Sequence, residues 1–267
     1  MPTTAISPIG VYDSGVGGVS VLRALREALP NESFIYVADS QHAPYGERPR
    51  DFLEDRAQAV VGFLARQKVK AVVLACNTVS IAAAAALRAG HEVPIVAMEP
   101  AIKPAAASTK SGTVLVLATP YTVQSEAVDR LCRTFGQGVR IVLQACPGLA
   151  EQVESGQLSA PLTYDLLNGY LRPGLAAGAD TIVLGCTHYA FLKPAIADLA
   201  GPAVNIIEPS DAVARQLQFR LQSARAPDGR FPGSAAFYTS GCADQLRRFL
   251  DMVGEQAGAV LNLPNPS

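Results

Sequence analysis

Residues 71–78 read AVVLACNT, and residues 181–188 read TIVLGCTH. Each stretch is an apolar run, then a small residue, then a cysteine, then a residue with an amide or hydroxyl group. Runs of Val, Ile and Leu bounded by polar turns are the pattern of strands covered on both faces, as in a parallel sheet. In open α/β sheets, ligands bind at the carboxyl ends of the strands. Cys76 and Cys186 therefore stand where a ligand is expected. They are 110 positions apart (186 minus 76), which suggests one in each half of the chain.

Outward from these stretches, short apolar runs alternate with longer helical patterns. Residues 9–12, 34–38, 71–75, 95–98, 113–117, 140–144, 181–185, 205–207 and 236–239 read as strands. Residues 19–29, 50–66, 81–89, 124–135, 162–177, 212–224 and 243–253 carry helical periodicity. The alternation predicts an α/β fold of two similar doubly wound domains, with mainly parallel sheets facing across a central cleft. Residues 99–112, with Pro100 and Pro104, read as a crossing connection and a helix between two strand series. The first domain is expected over 1–98 plus 210–267, carrying Asp13, Ser14 and Cys76. The second is expected over 99–209, carrying Cys186 and His188. The stretch PDGRFPG (227–233) reads as a loop and the final NLPNPS as a frayed end.

Composition narrows the classes. With 267 residues, 49% of them hydrophobic, the chain can bury a sizeable core. Basic residues number 22 and acidic ones 23, a net charge of -1. That balance gives no electrostatic ground for a nucleic-acid or anionic-membrane partner. The N-terminus lacks the basic and apolar regions of a secretory signal. No apolar run approaches the roughly 20 residues that span a bilayer. The expectation is a cytoplasmic protein with no membrane or nucleic-acid partner. Five cysteines are present without a CxxC pair, so no metal site is expected. Cys132, Cys146 and Cys242 lack the strand–cysteine–polar arrangement and read as ordinary free thiols.

Two similar thiols in two similar halves suit proton transfer at a carbon from both faces. Inverting an α-carbon needs a base on one face and an acid on the other, with the roles exchanged afterwards. Thiols qualify because the thiolate is basic and its pKa is tunable. A helix opening after each cysteine would place backbone N–H groups toward a thiolate or a carboxylate. No glycine-rich phosphate loop paired with a lysine suggests pyridoxal phosphate, so no cofactor is expected.

The chain resembles glutamate racemases, within the aspartate/glutamate racemase superfamily, from residue 10 to about residue 250. The resemblance rests on GVYDSGVGGVSVL (10–22), ADSQHAPYGERP (38–49), VLACNTVS (73–80), PAIKPA (100–105), ATPYTVQS (118–125), CPGLAEQVESG (146–156), VLGCTHYAFL (183–192) and TSGCADQLRRFL (239–250). It implies that Cys76 deprotonates the D-isomer and Cys186 the L-isomer. It implies that Asp13 assists Cys76, that His188 assists Cys186, and that Glu154 is a further acidic residue near Cys186. Ser14, Tyr45, Gly46, Asn77, Thr78, Thr119, Thr122 and Thr187, with Asp13 and His188, would contact L- or D-glutamate. The resemblance further implies a bacterial homodimer supplying D-glutamate for peptidoglycan. The sequence departs from the family at Ala118, where Gly is frequent, at Ala190, where Pro is frequent, and at Val79, where Ala is usual. It also lacks the long N-terminal extension of members that need a cell-wall precursor as activator.

Read without the resemblance, these residues keep other meanings. Asp13 to Gly18 (DSGVGG) approximates a dinucleotide fingerprint, with Asp39 as a ribose contact, but Ser20 replaces the third glycine. Asp13 is also a plausible helix N-cap. Each cysteine taken singly suits a buried apolar site. Thr119 and Thr122 suit a helix start, Tyr45 a turn, and Glu154 a solvated helix end. His42, His91, Arg48 and Arg50 read as surface residues. The functional alternatives are an aspartate or related racemase of the same superfamily, a thiol hydrolase built on Cys186 and His188, and a nucleotide-binding module.

Overall fold

The apolar runs form strands because Val, Ile, Phe and Tyr pack well on a pleated surface buried on both sides. The structure is a computed structural model and describes residues 4–224 and 233–264. Ten strands occur among the described residues. They are β1 (Ile9–Asp13), β2 (Phe34–Ala38), β3 (Ala71–Leu74), β4 (Ile95–Ala97), β5 (Thr113–Ala118), β6 (Arg140–Ala145), β7 (Thr181–Gly185), β8 (Asn205–Ile207), β9 (Ala235–Thr239) and β10 (Val260–Asn262). The chain divides into two compact units, residues 1–98 with 210–267, and residues 99–209.

The first unit holds a six-stranded sheet in the order β10-β9-β2-β1-β3-β4, and the second a four-stranded sheet in the order β6-β5-β7-β8. Every pairing is parallel. The two sheets share a plan. In each, the second strand joins one edge of the first, and the chain then crosses back to lay the third and fourth strands on the other edge. That reversal is the switch point beside which doubly wound sheets bind ligands. It falls between β1 and β3 in the first unit and between β5 and β7 in the second. The first unit adds β9 and β10 outside β2. β1, β2, β3, β5 and β7 are buried along their whole length, whereas the edge strand β6 is half-exposed and opens with Arg140.

The helices, in chain order, are α1 (Val19–Ala28), α2 (Arg50–Arg66), α3 (Asn77–Gly90), α4 (Ile102–Ser108), α5 (Pro120–Val123), α6 (Glu126–Phe135), α7 (Leu149–Glu154), α8 (Pro161–Ala176), α9 (Lys193–Ala200), α10 (Ser210–Leu221) and α11 (Ala243–Met252). α1 turns Val19, Val21, Leu22 and Leu25 into the core. Burying such a side chain contributes about 1.5–3 kcal/mol. Among the described residues, no helix is long and apolar enough to cross a membrane.

Several boundaries differ from the sequence reading by a few residues, and three of the differences have a traceable physical reason. α3 begins at Asn77, not residue 81. Its first turn, Asn-Thr-Val-Ser, has weak helix propensity. It is held instead by Ser80, whose Oγ donates to the Leu74 carbonyl (3.1 Å) and accepts from the Met98 N–H (3.2 Å). β3 accordingly ends at Leu74. The tail expected to fray contributes Asn262 to β10, which pairs with β9. Buried Glu255 anchors the segment before it, accepting from Arg23 Nε (3.1 Å) and pairing with Arg26 on α1. Of the expected loop at 227–233, all but Gly233 lies outside the described residues, as do residues 265–267.

Candidate functional site

In the first unit, β1 ends on Asp13 and β3 leads through Ala75 to Cys76, on either side of the switch point. The Ala75 N–H donates to the Tyr12 carbonyl (2.8 Å), which extends the pairing of β1 with β3 by one step. Asp13 is fully buried, and its Oδ1 accepts from the Gly15 N–H at 2.9 Å. The carboxylate thus closes the turn that follows β1, while Gly18 occupies the N-cap position of α1. Tyr36 fixes the same turn, its hydroxyl donating to the Gly15 carbonyl (2.7 Å). Gly18 has to be glycine. A Cβ there would lie 2.6 Å from the Asp13 Cβ and 3.1 Å from the Ala75 Cβ.

Cys76 is the N-cap residue of α3, with extended backbone, and its carbonyl accepts the Ser80 N–H at 2.9 Å. A helix of 14 residues brings partial positive charge to that end. Cys76 keeps 6% exposure; Asn77 and Thr78, which follow it in sequence, are buried, as is Ser14 after Asp13. Neither Nδ2 nor Oδ1 of Asn77 has a hydrogen-bond partner among the described residues, although both are buried. A buried amide left that way costs about 1–3 kcal/mol. Tyr45 and Gly46 are buried as well, so Tyr45 is more than a turn residue. The Tyr45 hydroxyl donates to Asp39 Oδ2, and Arg56 grips the same carboxylate through Nε and Nη2, each at 2.8 Å. Asp39 is thus held by protein partners on both oxygens.

In the second unit, β7 leads to Cys186, which opens a 3-10 segment over Thr187–Leu192. Cys186 keeps 8% exposure, and Thr187 and His188 are buried. The Cys186 Sγ lies 3.6 Å from His188 Nδ1, and His188 Nε2 lies 2.6 Å from Glu154 Oε1 at the end of α7. Burial opposes a charge on His188, but the hydrogen bonds to Cys186 and Glu154 outweigh it and raise its pKa well above the ordinary value. Glu154 is therefore no solvated helix end. Thr119 follows β5 across the switch point. It caps α5, its Oγ1 accepting from the Thr122 N–H (3.3 Å) and donating to Thr122 Oγ1 (3.0 Å).

The other thiols sit elsewhere. Cys146 is buried at the end of β6, donates to the Gln144 carbonyl (3.4 Å), and burial pushes its pKa far up. Cys132 lies half-buried on α6, and Cys242 is exposed at the start of α11. Arg48 and Arg50 are exposed. His42 and His91 are half-buried rather than free on the surface; His42 packs edge-on against Phe52, and His91 Nε2 lies 3.1 Å from Gln58 Oε1. Among the described residues there is no group of three His, Cys, Asp or Glu that could hold a metal ion. Tyr12 and Arg56 escaped the sequence reading. A strand tyrosine and one arginine on a charged helix carry no local signal of their shared network.

The model of the Asp/Glu/Hydantoin racemase family matches residues 9–217. A glutamate racemase of Pseudomonas entomophila (strain L48) is 49% identical over 260 residues, covering 97% of this chain and 98% of the relative. The structure of a glutamate racemase isoform, RacE1, from Bacillus anthracis aligns with a TM-score of 0.86 at 30% identity, over 97% of this chain and 98% of that one. That of Escherichia coli glutamate racemase, in complex with L-glutamate and the activator UDP-MurNAc-ala, aligns with a TM-score of 0.85 at 31% identity, over 96% and 98%. Nearly half the residues are shared with a relative over nearly the whole length, and the two parallel sheets agree with its kind of fold: the chain is an isomerase of the racemase class and belongs to the Asp/Glu/Hydantoin racemase family.

Proposed function

We propose that the chain interconverts L- and D-glutamate without a cofactor, using Cys76 and Cys186 as proton carriers on opposite faces of the α-carbon. One observation carries the reading. Each cysteine follows the third strand of the same strand plan, beside that sheet's switch point. The α-proton of an amino acid is very weakly acidic, so the site has to stabilise developing negative charge and exclude water. From D-glutamate, the Cys76 thiolate takes the α-proton and becomes a thiol. The Cys186 thiol then gives its proton to the opposite face and becomes a thiolate. The reverse reaction exchanges the two roles, so one proton enters for each that leaves.

Asp13 would assist Cys76, and His188, backed by Glu154, would assist Cys186. Ser14, Tyr45, Gly46, Asn77, Thr78, Thr119, Thr122 and Thr187 would bind the substrate. The unpartnered amide of Asn77 supports this, since a carboxylate or ammonium group would satisfy it. Glutamate is favoured because the relatives are glutamate racemases and the Escherichia coli enzyme was solved with L-glutamate. That enzyme's activator carries N-acetylmuramic acid, which supports a role in peptidoglycan supply. A cytoplasmic homodimer is part of the same proposal.

The test is incubation with L-glutamate in heavy water with no added cofactor, following the α-proton by NMR together with optical rotation. Loss of both signals is expected. Absence of exchange with either enantiomer overturns the reading, and exchange with aspartate alone moves the substrate within the family. Cys186, His188 and Glu154 also have the order of a thiol hydrolase, which would not need Cys76. Cys76→Ala and Cys186→Ala are each expected to lower racemisation by roughly 10²- to 10⁴-fold. A fully active Cys76→Ala protein would favour the hydrolase.

A further inference from the structure

The first unit holds a buried chain of polar groups of which the proposed reaction uses only Tyr45. Arg56 on α2 holds Asp39 through two hydrogen bonds of 2.8 Å. Asp39 follows β2 and is fully buried, while the Arg56 side chain keeps 15% exposure. The Tyr45 hydroxyl donates to Asp39 Oδ2, and the Tyr12 hydroxyl lies 2.9 Å from that of Tyr45. Tyr12 and Leu74 are register partners in the parallel pair β1 and β3. Cys76 is two residues beyond Leu74 in extended backbone, so it projects on the same face of the sheet as Tyr12.

The direction of these hydrogen bonds is determined. Asp39, paired with Arg56, accepts only. Tyr45 has one hydroxyl hydrogen and gives it to Asp39. The Tyr45 oxygen must then accept from Tyr12, and the Tyr12 hydrogen is committed. The Tyr12 oxygen is left as an acceptor on the face that carries Cys76. An acceptor there orients a thiol S–H, whereas a donor would favour the thiolate. Burial, reinforced by Asp39, also raises the Tyr12 pKa well above its ordinary value, and Cys76 contributes in the same direction. The phenol stays neutral.

We propose that Asp39 and Arg56 are positioning residues for proton transfer at Cys76, acting through the hydroxyls of Tyr45 and Tyr12. The inference rests on the two-base glutamate reading. In that reading the fixed phenol oxygen holds the Cys76 side chain in one rotamer, so that the sulfur keeps its place on one face of the α-carbon. It has no part in the step at Cys186.

Isotope effects separate the two faces. Enantiomers have equal energy, so any variant must lose kcat/KM equally in both directions. A loss confined to Cys76 still leaves a mark. With α-deuterated D-glutamate, abstraction by Cys76 becomes more rate-limiting and its primary isotope effect rises. With α-deuterated L-glutamate, abstraction by Cys186 becomes less rate-limiting and its isotope effect falls. We expect Asp39→Asn, Arg56→Lys and Tyr12→Phe to lower kcat/KM roughly 10- to 100-fold, with this opposed pair of changes. Tyr12→Phe keeps the ring and removes only the hydroxyl, so it carries the test if Asp39→Asn fails to fold. Equal isotope effects in wild type and folded variants overturn the proposal, whether or not activity falls. A wild type that shows no α-proton exchange with glutamate overturns the underlying reading, and the proposal with it.

Discussion

Replacing Glu154 by Gln tests whether His188 serves Cys186 as a charged partner. Glu154 Oε1 and His188 Nε2 are 2.6 Å apart, with side-chain exposures of 16% and 5%. The substitution keeps the shape and an acceptor oxygen while removing the charge. A hydrogen bond to a charged group contributes about 1.5–3 kcal/mol. At about 1.4 kcal/mol per factor of ten, the ratio of imidazolium to imidazole falls roughly 10- to 150-fold. His188 is stabilised in its charged form, its folded pKa standing above the unfolded value of about 6.5. That contribution to stability is complete below about pH 6.5 and is lost as pH rises through the folded pKa. The stability gap between wild type and Glu154→Gln is therefore widest on the acid side of neutrality and narrows on the alkaline side. Urea denaturation across pH measures the gap. NMR titration resolves His188 directly, because the chain has only 3 histidines. The alkaline limb of kcat/KM should move to lower pH in the same variant. A gap that widens with pH, or a His188 signal titrating identically in both proteins, would refute the reasoning.

Asn77→Ala removes two buried, unpartnered polar atoms that cost about 1–3 kcal/mol, so stability should not fall, while KM for glutamate rises at least about tenfold. A large loss of stability with KM unchanged would make Asn77 structural. Gly18→Ala puts a Cβ 2.6 Å from that of Asp13. We expect a cost of about 1–3 kcal/mol by urea denaturation, with activity lost through displacement of Asp13; full activity would clear Asp13 of a role. Lys70→Met removes the ammonium that lies 2.6 Å from Glu32, a carboxylate only 3% exposed. The expected loss is about 3–5 kcal/mol with little effect on activity per folded molecule, and a loss under about 1 kcal/mol contradicts it.

Much of the fold was legible because its strands are near-continuous Val, Ile and Leu runs, and a run such as AVVL has no solvent face to confuse its period. The weak first turn of α3 was not legible, since Ser80 holds it through hydrogen bonds to Leu74 and Met98, 6 and 18 positions away in sequence. β10 was missed for the same reason. Its three residues carry no periodicity, and Glu255 anchors them on arginines more than 200 positions away. At the candidate site the cysteines announced themselves through their repeated setting. Glu154 needed the resemblance to be noticed, because its partner His188 is 34 positions on. Arg56 had no signal at all: one arginine among the charges of α2 looks like any other until Asp39 is found behind it.

The two thiols share a place in the strand plan but differ in their electrostatic support, and the difference follows from local structure. Cys76 opens a 14-residue α-helix, whose aligned peptide dipoles concentrate partial positive charge at that end. Cys186 opens a six-residue 3-10 segment, too short to build a comparable field. There a side chain stands in its place: His188 Nδ1 lies 3.6 Å from the sulfur, and hydrogen bonds to Cys186 and Glu154 raise the pKa of that ring. Equal-energy enantiomers require equal kcat/KM in the two directions, not like surroundings for the two carriers, so a helix terminus in one unit and a histidine in the other are compatible with the proposed exchange. On this account, loss of Glu154 weakens only the Cys186 side, and its isotope effects should shift in the sense opposite to those of Asp39→Asn.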